Sequence, residues 1–254
     1  MRPILPTHFR NAIEKIKELQ DLDTCLGAFV FGSAARGEVT KDSDLDVKVI
    51  VSNSKGCTSI SHPFINDIKL DINFLSLDLI EKFTKEDIEK GERIPMIAES
   101  IIIFDKTGQL KQLKKKAVAA KPKKITNLDP TWIQYMVYHA TNKAKRHLIS
   151  DPLSSLLSLD SNLEELLKFH YQLNRRWWLS NKRLLKDIRE WDPKLNILLE
   201  KFLLSHDVHL KFKLWEKIAS HVLIPLGGPK PVADINCDCP VCQKHLKNLQ
   251  LLEK

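Results

Sequence analysis

The chain has 254 residues, of which 43% are hydrophobic and 28% charged, with a formal net charge of +8. That length suits about two domains with ordinary cores, and with only 8 glycines the chain is neither collagenous nor of low complexity. The positive excess points to an anionic partner and says nothing about fold.

The charge is divided unevenly. Residues 1–110 carry 14 Lys/Arg against 18 Asp/Glu, a balance of −4, whereas residues 111–254 balance at +12. Two units with different electrostatic tasks are expected. No apolar run approaches the roughly 18 residues of a membrane helix, so no membrane partner is expected. Pro3 and Pro6 interrupt the start, which does not read as a signal peptide. Five cysteines, an odd number with three near the C-terminus, argue against a secreted disulfide framework and for a reducing cytoplasm.

In chain order, residues 8–20 read as an amphipathic helix, with Phe9, Ile13, Ile16 and Leu19 at spacings of three and four. Leu26 to Phe31 has the length of a buried strand and stops at Gly32-Ser33. Residues 46–51 form a strand leaving an acidic cluster. Over residues 68–75 the pattern alternates: Ile68, Leu70, Ile72 and Phe74 share one face, and Lys69, Asp71 and Asn73 the other. A helix over 78–90 and a buried strand over 101–104 follow. Residues 111–124 hold seven lysines and read as a solvated helix face running into a linker at about 119–130. Beyond it, residues 131–149, 161–179, 182–190, 194–205 and 208–223 show helical spacing, with Pro152, Pro193 and Pro225 between them. The expected fold is an α+β (or α/β) domain over 1–122 with a small mixed sheet, then an all-α helical bundle over 128–254.

The chemistry is concentrated in Gly32-Ser33-Ala34-Ala35-Arg36-Gly37, then Ser43-Asp44-Leu45-Asp46, then Asp71. Gly32-Ser33 ends a strand and opens a helix, where backbone N–H groups and a hydroxyl can cradle phosphate. Asp44 and Asp46 are two apart at a strand mouth, on one face. Asp71 joins them if the strands pair. At ~4 Å and an effective dielectric of ~20, each carboxylate pair costs on the order of 4 kcal/mol. A divalent cation such as Mg²⁺ removes that repulsion, and two such ions suit phosphoryl or nucleotidyl transfer. Asp42 offers an alternative 42/44 register, and 44/46 is preferred because residue 46 leads straight into the strand.

These residues resemble the DNA polymerase β-like nucleotidyltransferase superfamily, in particular its small bacterial and archaeal branch of antibiotic adenylyltransferases and minimal nucleotidyltransferases. The resemblance covers about 26–105. It implies that Gly32 and Ser33 hold a nucleoside triphosphate, with ATP as the substrate, and that Arg36 lines the phosphate side. It also implies that Asp44 and Asp46 bind two Mg²⁺ ions, and that Asp71 completes the second metal site and accepts the acceptor's proton. A looser match over about 163–200, carried by Leu173-Asn174 and Trp177-Trp178, makes Lys182 a triphosphate contact. Arg175 and Arg176 lie beside it in sequence. The implied acceptor is a small hydroxylated molecule such as an antibiotic. A protein side chain or a tRNA is the alternative, and the +12 half suits RNA. A non-catalytic nucleotide-binding module is disfavoured because all three carboxylates are present. Acceptor identity and oligomeric state stay open at this level.

Other features read more plainly. Trp177 and Trp178 read as bundle core, Glu164 and Glu165 as surface glutamates rather than a general base, and His139, His147 and His170 as structural. Cys237, Cys239, Cys242 and His245 have Cys₃His composition within nine residues, a possible structural Zn²⁺ set, although such sites usually split their ligands into two separated pairs. The lysine run lacks interleaved aromatics, so it has no single-strand stacking signature.

Overall fold

The computed structural model describes residues 6–52, 57–91, 93–122, 129–230 and 239–248. The chain divides into two compact units, Met1–Lys123 and Lys124–Lys254. The first is built on a five-stranded mixed sheet and the second is helical, the fold class expected from the sequence.

In the first unit, helix α1 (Arg10–Glu18) precedes β1 (Cys25–Val30), and the short α2 (Gly32–Arg36) follows it. Then come β2 (Leu45–Val51), β3 (Phe64–Ile65), β4 (Ile68–Ser76), α3 (Leu77–Lys90), β5 (Ile101–Asp105) and α4 (Gln109–Ala119). The strand order is β3-β4-β2-β1-β5. β1 runs antiparallel to β2 and β5, and β2 runs parallel to β4 with Asp46 opposite Asp71. Asn66 and Asp67, with φ of 47° and 63°, make the two-residue turn between β3 and β4. Consecutive left-handed residues of this kind match the strand twist, and Asn and Asp tolerate them better than branched residues do.

Pleat alternation gives the sheet two apolar faces. Ala28, Val30, Leu45, Val47, Leu70 and Ile72 pack against Phe9, Ile13 and Ile16 from the α1 side and Ala34 and Ala35 of α2. On the other face Phe29, Ile50 and Leu75 meet Ile80, Leu110, Leu113 and Ala117. β5 is an edge strand, and Ile101, Ile102 and Ile103 are half-buried rather than buried as expected. Most of the lysine run is helical, as its helix-face reading expects, but the helix also has a buried side. Leu110, Leu113 and Ala117 recur at helical spacing and bury one face of α4, and the Lys111 N–H donates to Asp105 Oδ2 at 2.9 Å.

The second unit contains α5 (Asp129–His147), α6 (Pro152–Leu173), α7 (Asn181–Trp191), α8 (Pro193–Leu204) and α9 (Val208–Val222), with α10 (Pro240–Asn248) beyond. Helices α6, α8 and α9 start where an aspartate accepts from the N–H three residues on: Asp151 from Ser154, Asp192 from Leu195, Asp207 from Leu210. Such caps satisfy N–H groups that the helix itself leaves unpaired. Pro152 and Pro193 occupy first helical positions, where no N–H is needed. α6 therefore begins nine residues before the expected 161. The serine-rich stretch is no loop: Ser155 is buried and donates to the Ala144 carbonyl at 2.9 Å. α6 also ends at Leu173 rather than 179, because Arg175 turns left-handed at φ 54°. Leu159, Leu166, Leu195, Leu199, Phe202, Trp215 and Ile218 make the core.

Candidate active site

Gly32 follows β1 with φ 68°, a conformation glycine adopts without strain. A Cβ there would lie 2.1 Å from Asp46 Oδ2. Gly32 is thus required twice, for its backbone and for the closeness of the carboxylate. The Phe31 N–H donates to the Asp46 carbonyl at 3.1 Å, which ties the turn to β2. Ser33 and Arg36 lie on α2. The Arg36 guanidinium meets Glu38 at 2.8 Å and Glu99 at 3.6 Å.

Asp44 precedes β2, Asp46 is in it, and Asp71 stands opposite Asp46 on β4. The Lys69 ammonium spans two of the three, at 3.2 Å from Asp44 Oδ2 and 2.9 Å from Asp71 Oδ1. His62 Nδ1 lies 2.6 Å from Asp71 Oδ1. Further along the same face sit the buried Lys48, with its Nζ 5.0 Å from the centroid of the Phe31 ring, and Asn73, whose buried Oδ1 has no partner among the described residues.

The electrostatics follow from this crowding. Burial first, then Asp44 and Asp71, raise the Asp46 pKa to about 6, against a smaller opposing pull from Lys48 and Arg36. Asp71 moves down, chiefly through its hydrogen bond from Lys69. Burial likewise lowers Lys48. The oxygen donors of Asp44, Asp46 and Asp71 suit a hard divalent cation such as Mg²⁺, but in this structure they do not all lie within 4.8 Å of one another, and a bound ion would take over from Lys69 at Asp44 and Asp71.

Sequence reasoning passed over Lys69, His62 and Lys48 as site neighbours. For Lys69 and Lys48 the signal was present, since each is two residues from a site aspartate and shares its face of the strand. His62 carried no such signal, because its loop is brought to β4 by the antiparallel bridge of Ser61 to Ile72.

In the second unit, Lys182 is exposed near the start of α7, and Arg175 occupies the left-handed turn. Arg176 pairs with Asp187 at 3.3 Å and lies 4.5 Å from the centroid of the Trp191 ring. Trp178 packs against the core, while Glu164 and Glu165 pair with Lys168. His170, expected to be an isolated structural histidine, has specific partners: its Nε2 lies 2.9 Å from Asp192 Oδ2, and the same oxygen lies 2.7 Å from His221 Nε2. Burial pushes the His170 pKa down. For Asp192, burial alone would act upward, but hydrogen bonds from His221, the Leu195 N–H and His170 outweigh it and hold the carboxyl low. Of the proposed cysteine set, Cys237 lies outside the described residues. Cys239 precedes α10, which carries Cys242 and His245, and Cys239 Sγ accepts from the Cys242 N–H at 3.4 Å.

Residues 10–123 match the family model described as nucleotidyltransferase domain. A crystal structure of a nucleotidyltransferase-like protein from Exiguobacterium sibiricum 255-15 is similar at 14% identity and a TM-score of 0.50, covering 96% of this chain and 87% of its own. At that identity the likeness concerns fold alone. No curated protein matches in sequence.

Proposed function

We propose, on the match of residues 10–123 to the nucleotidyltransferase domain model, that the protein is a member of the DNA polymerase β-like superfamily that transfers a nucleoside monophosphate from a nucleoside triphosphate, ATP, to an acceptor hydroxyl, with pyrophosphate as the leaving group. The observation that carries this reading is the meeting of Asp46 with Asp71 across parallel strands, with Gly32 pressed against the Asp46 carboxylate.

Each residue has a role in this proposal. The Gly32 backbone and the Ser33 hydroxyl cradle the phosphates, because no Cβ stands between the ligand and the main chain. Asp44, Asp46 and Asp71 would hold Mg²⁺, which when bound neutralises phosphate charge and favours in-line displacement. Asp71 receives the acceptor's proton. Arg36 flanks the phosphate side, held by Glu38 and Glu99. The sequence resemblance also makes Lys182 a residue that binds the triphosphate. In the metal-free protein burial and the neighbouring carboxylates hold the Asp46 pKa at about 6, and bound Mg²⁺ would favour its charged form.

A small hydroxylated molecule is the proposed acceptor. The +12 balance of residues 111–254 favours a second reading, a tRNA acceptor. The test supplies each α-labelled nucleotide with Mg²⁺ and a cell extract and follows pyrophosphate release and the fate of the label. Label in small molecules supports the first reading and label in RNA the second. Asp46→Asn lowers release by about 10³ or more, the scale of several kcal/mol of charge stabilisation. Absence of pyrophosphate release with every nucleotide overturns the proposal.

A further inference from the structure

The cluster His170, Asp192 and His221 brings three helical segments to one point. His170 is on α6, Asp192 links α7 to α8, and His221 is near the end of α9. One ligand atom from each lies within 4.8 Å of the others, and among the described residues no other set of three His, Cys, Asp or Glu side chains does so. We propose that these residues form a Zn²⁺ site, separate from the Mg²⁺-type carboxylates of the first unit.

The donor set argues for zinc rather than magnesium. Two imidazoles and one carboxylate suit a borderline metal, whereas Mg²⁺ prefers oxygen ligands throughout. Three protein ligands leave one tetrahedral position for water. His221 is 22% exposed and provides the open side, while His170 at 4% and Asp192 at 13% form the closed side. The present N···O distances of 2.9 and 2.7 Å need only open by roughly 0.5 Å to span a tetrahedral edge built on bonds of ~2.0 Å.

The surroundings hold the ligands in place. Asp192 Oδ1 is committed to the Leu195 N–H at 3.1 Å, which aims Oδ2 at the two rings. The His170 ring stacks on Trp191 with centroids 4.9 Å apart and planes at 17°. Trp191 is itself fixed, its Nε1–H donating to Asp187 Oδ2 at 2.9 Å. Metal ligation requires the proton of His170 to reside on Nδ1. The Asn174 amide stands 3.4 Å from that nitrogen. In the present structure that amide nitrogen also donates to the His170 carbonyl at 2.8 Å, so presenting Oδ1 to Nδ1 requires the amide to turn over and give up this bond, while the Asn174 backbone N–H, 3.1 Å from the same carbonyl, stays bonded to it. With its amide turned over, Asn174 would accept from the Nδ1–H of His170, as the outer partners of other zinc histidines do.

The test must separate this site from the cysteine tail. The full-length chain, without a histidine tag and with Cys237, Cys239 and Cys242 replaced by Ser, is stripped with chelator and titrated with Zn²⁺ by calorimetry and thermal melting. The expected result is one tightly bound ion and a raised Tm. His221→Gln keeps an N–H donor toward Asp192, so the metal-free protein retains its Tm while Zn²⁺ binding weakens by about 100-fold or more. Co²⁺ in the same protein gives visible bands without thiolate charge transfer. Absence of binding in the cysteine-free chain, or undiminished binding in His221→Gln, overturns the proposal.

Discussion

The carboxylates on β2 and β4 and the Asp192 carboxylate of the second unit stand in opposite electrostatic balance. Asp46 is raised to about 6 by burial and by two neighbours of its own sign, and Lys69 bridges the other two acids from the solvent side. Asp192 instead receives two imidazoles and a backbone N–H. The first cluster is left short of positive charge by the fold itself, and a bound cation relieves that shortage. The second is already satisfied by the polypeptide and serves stability with or without a ligand. Clustering of ionisable groups alone therefore does not reveal whether a fold gains or loses by holding them.

Removing one carboxylate from each cluster should give effects of opposite sign. Asp192→Ala takes away a helix cap and leaves two imidazoles without their acceptor, a loss of about 3–5 kcal/mol in chemical denaturation of the metal-free protein. Asp46→Asn should stabilise the metal-free protein by on the order of 1–2 kcal/mol at neutral pH, the full shift being screened at a partly exposed carboxylate, while abolishing transfer. The sign follows from the folded pKa of about 6 lying above the ordinary aspartate value of 3.8. The native state of the unmodified chain gains from protonation of Asp46. Its contribution is therefore most favourable below about 3.8 and is lost as pH rises through 6. The advantage of Asp46→Asn should open across that interval and level off above it, as denaturation series at stepped pH would reveal. Added Mg²⁺ should narrow the gap by stabilising only the unmodified chain. Lys168→Ala sets the baseline. Its partners Glu164 and Glu165 are about half exposed, so the change should stay within about 0.5 kcal/mol.

The strands and most helices were legible because their apolar periods are strong. The alternation of Ile68, Leu70 and Ile72 against Lys69, Asp71 and Asn73 already stated which residues would share the face of the site. The start of α6 was hidden because Ser154, Ser155 and Ser158 dilute the apolar pattern, while the signal that decides it is the Asp151-Pro152 pair. α4 was legible as a solvated helix face, but its lysines masked the three-residue apolar stripe that buries its other side. The carboxylate pair was visible as a motif. His170, Asp192 and His221 lie up to 51 residues apart in sequence and share no local spacing, so only the packing of α6, α8 and α9 reveals them. Lys69 was placed on the correct face, but its span between Asp44 and Asp71 depends on the pairing of β2 with β4, which the sequence pattern does not specify.

That pairing has a consequence for fidelity. On β4, Leu70 and Ile72 enter the core beside Phe9, and Asp71 faces the other way. Sliding β4 by one residue would drive a carboxylate into that core and expose two aliphatic side chains, a loss of several kcal/mol. The oil-like face of the sheet thus error-checks the alignment of its charged face. Folded molecules with misaligned aspartates should be vanishingly rare, and damage to the sheet should appear as fewer working molecules rather than as slower ones.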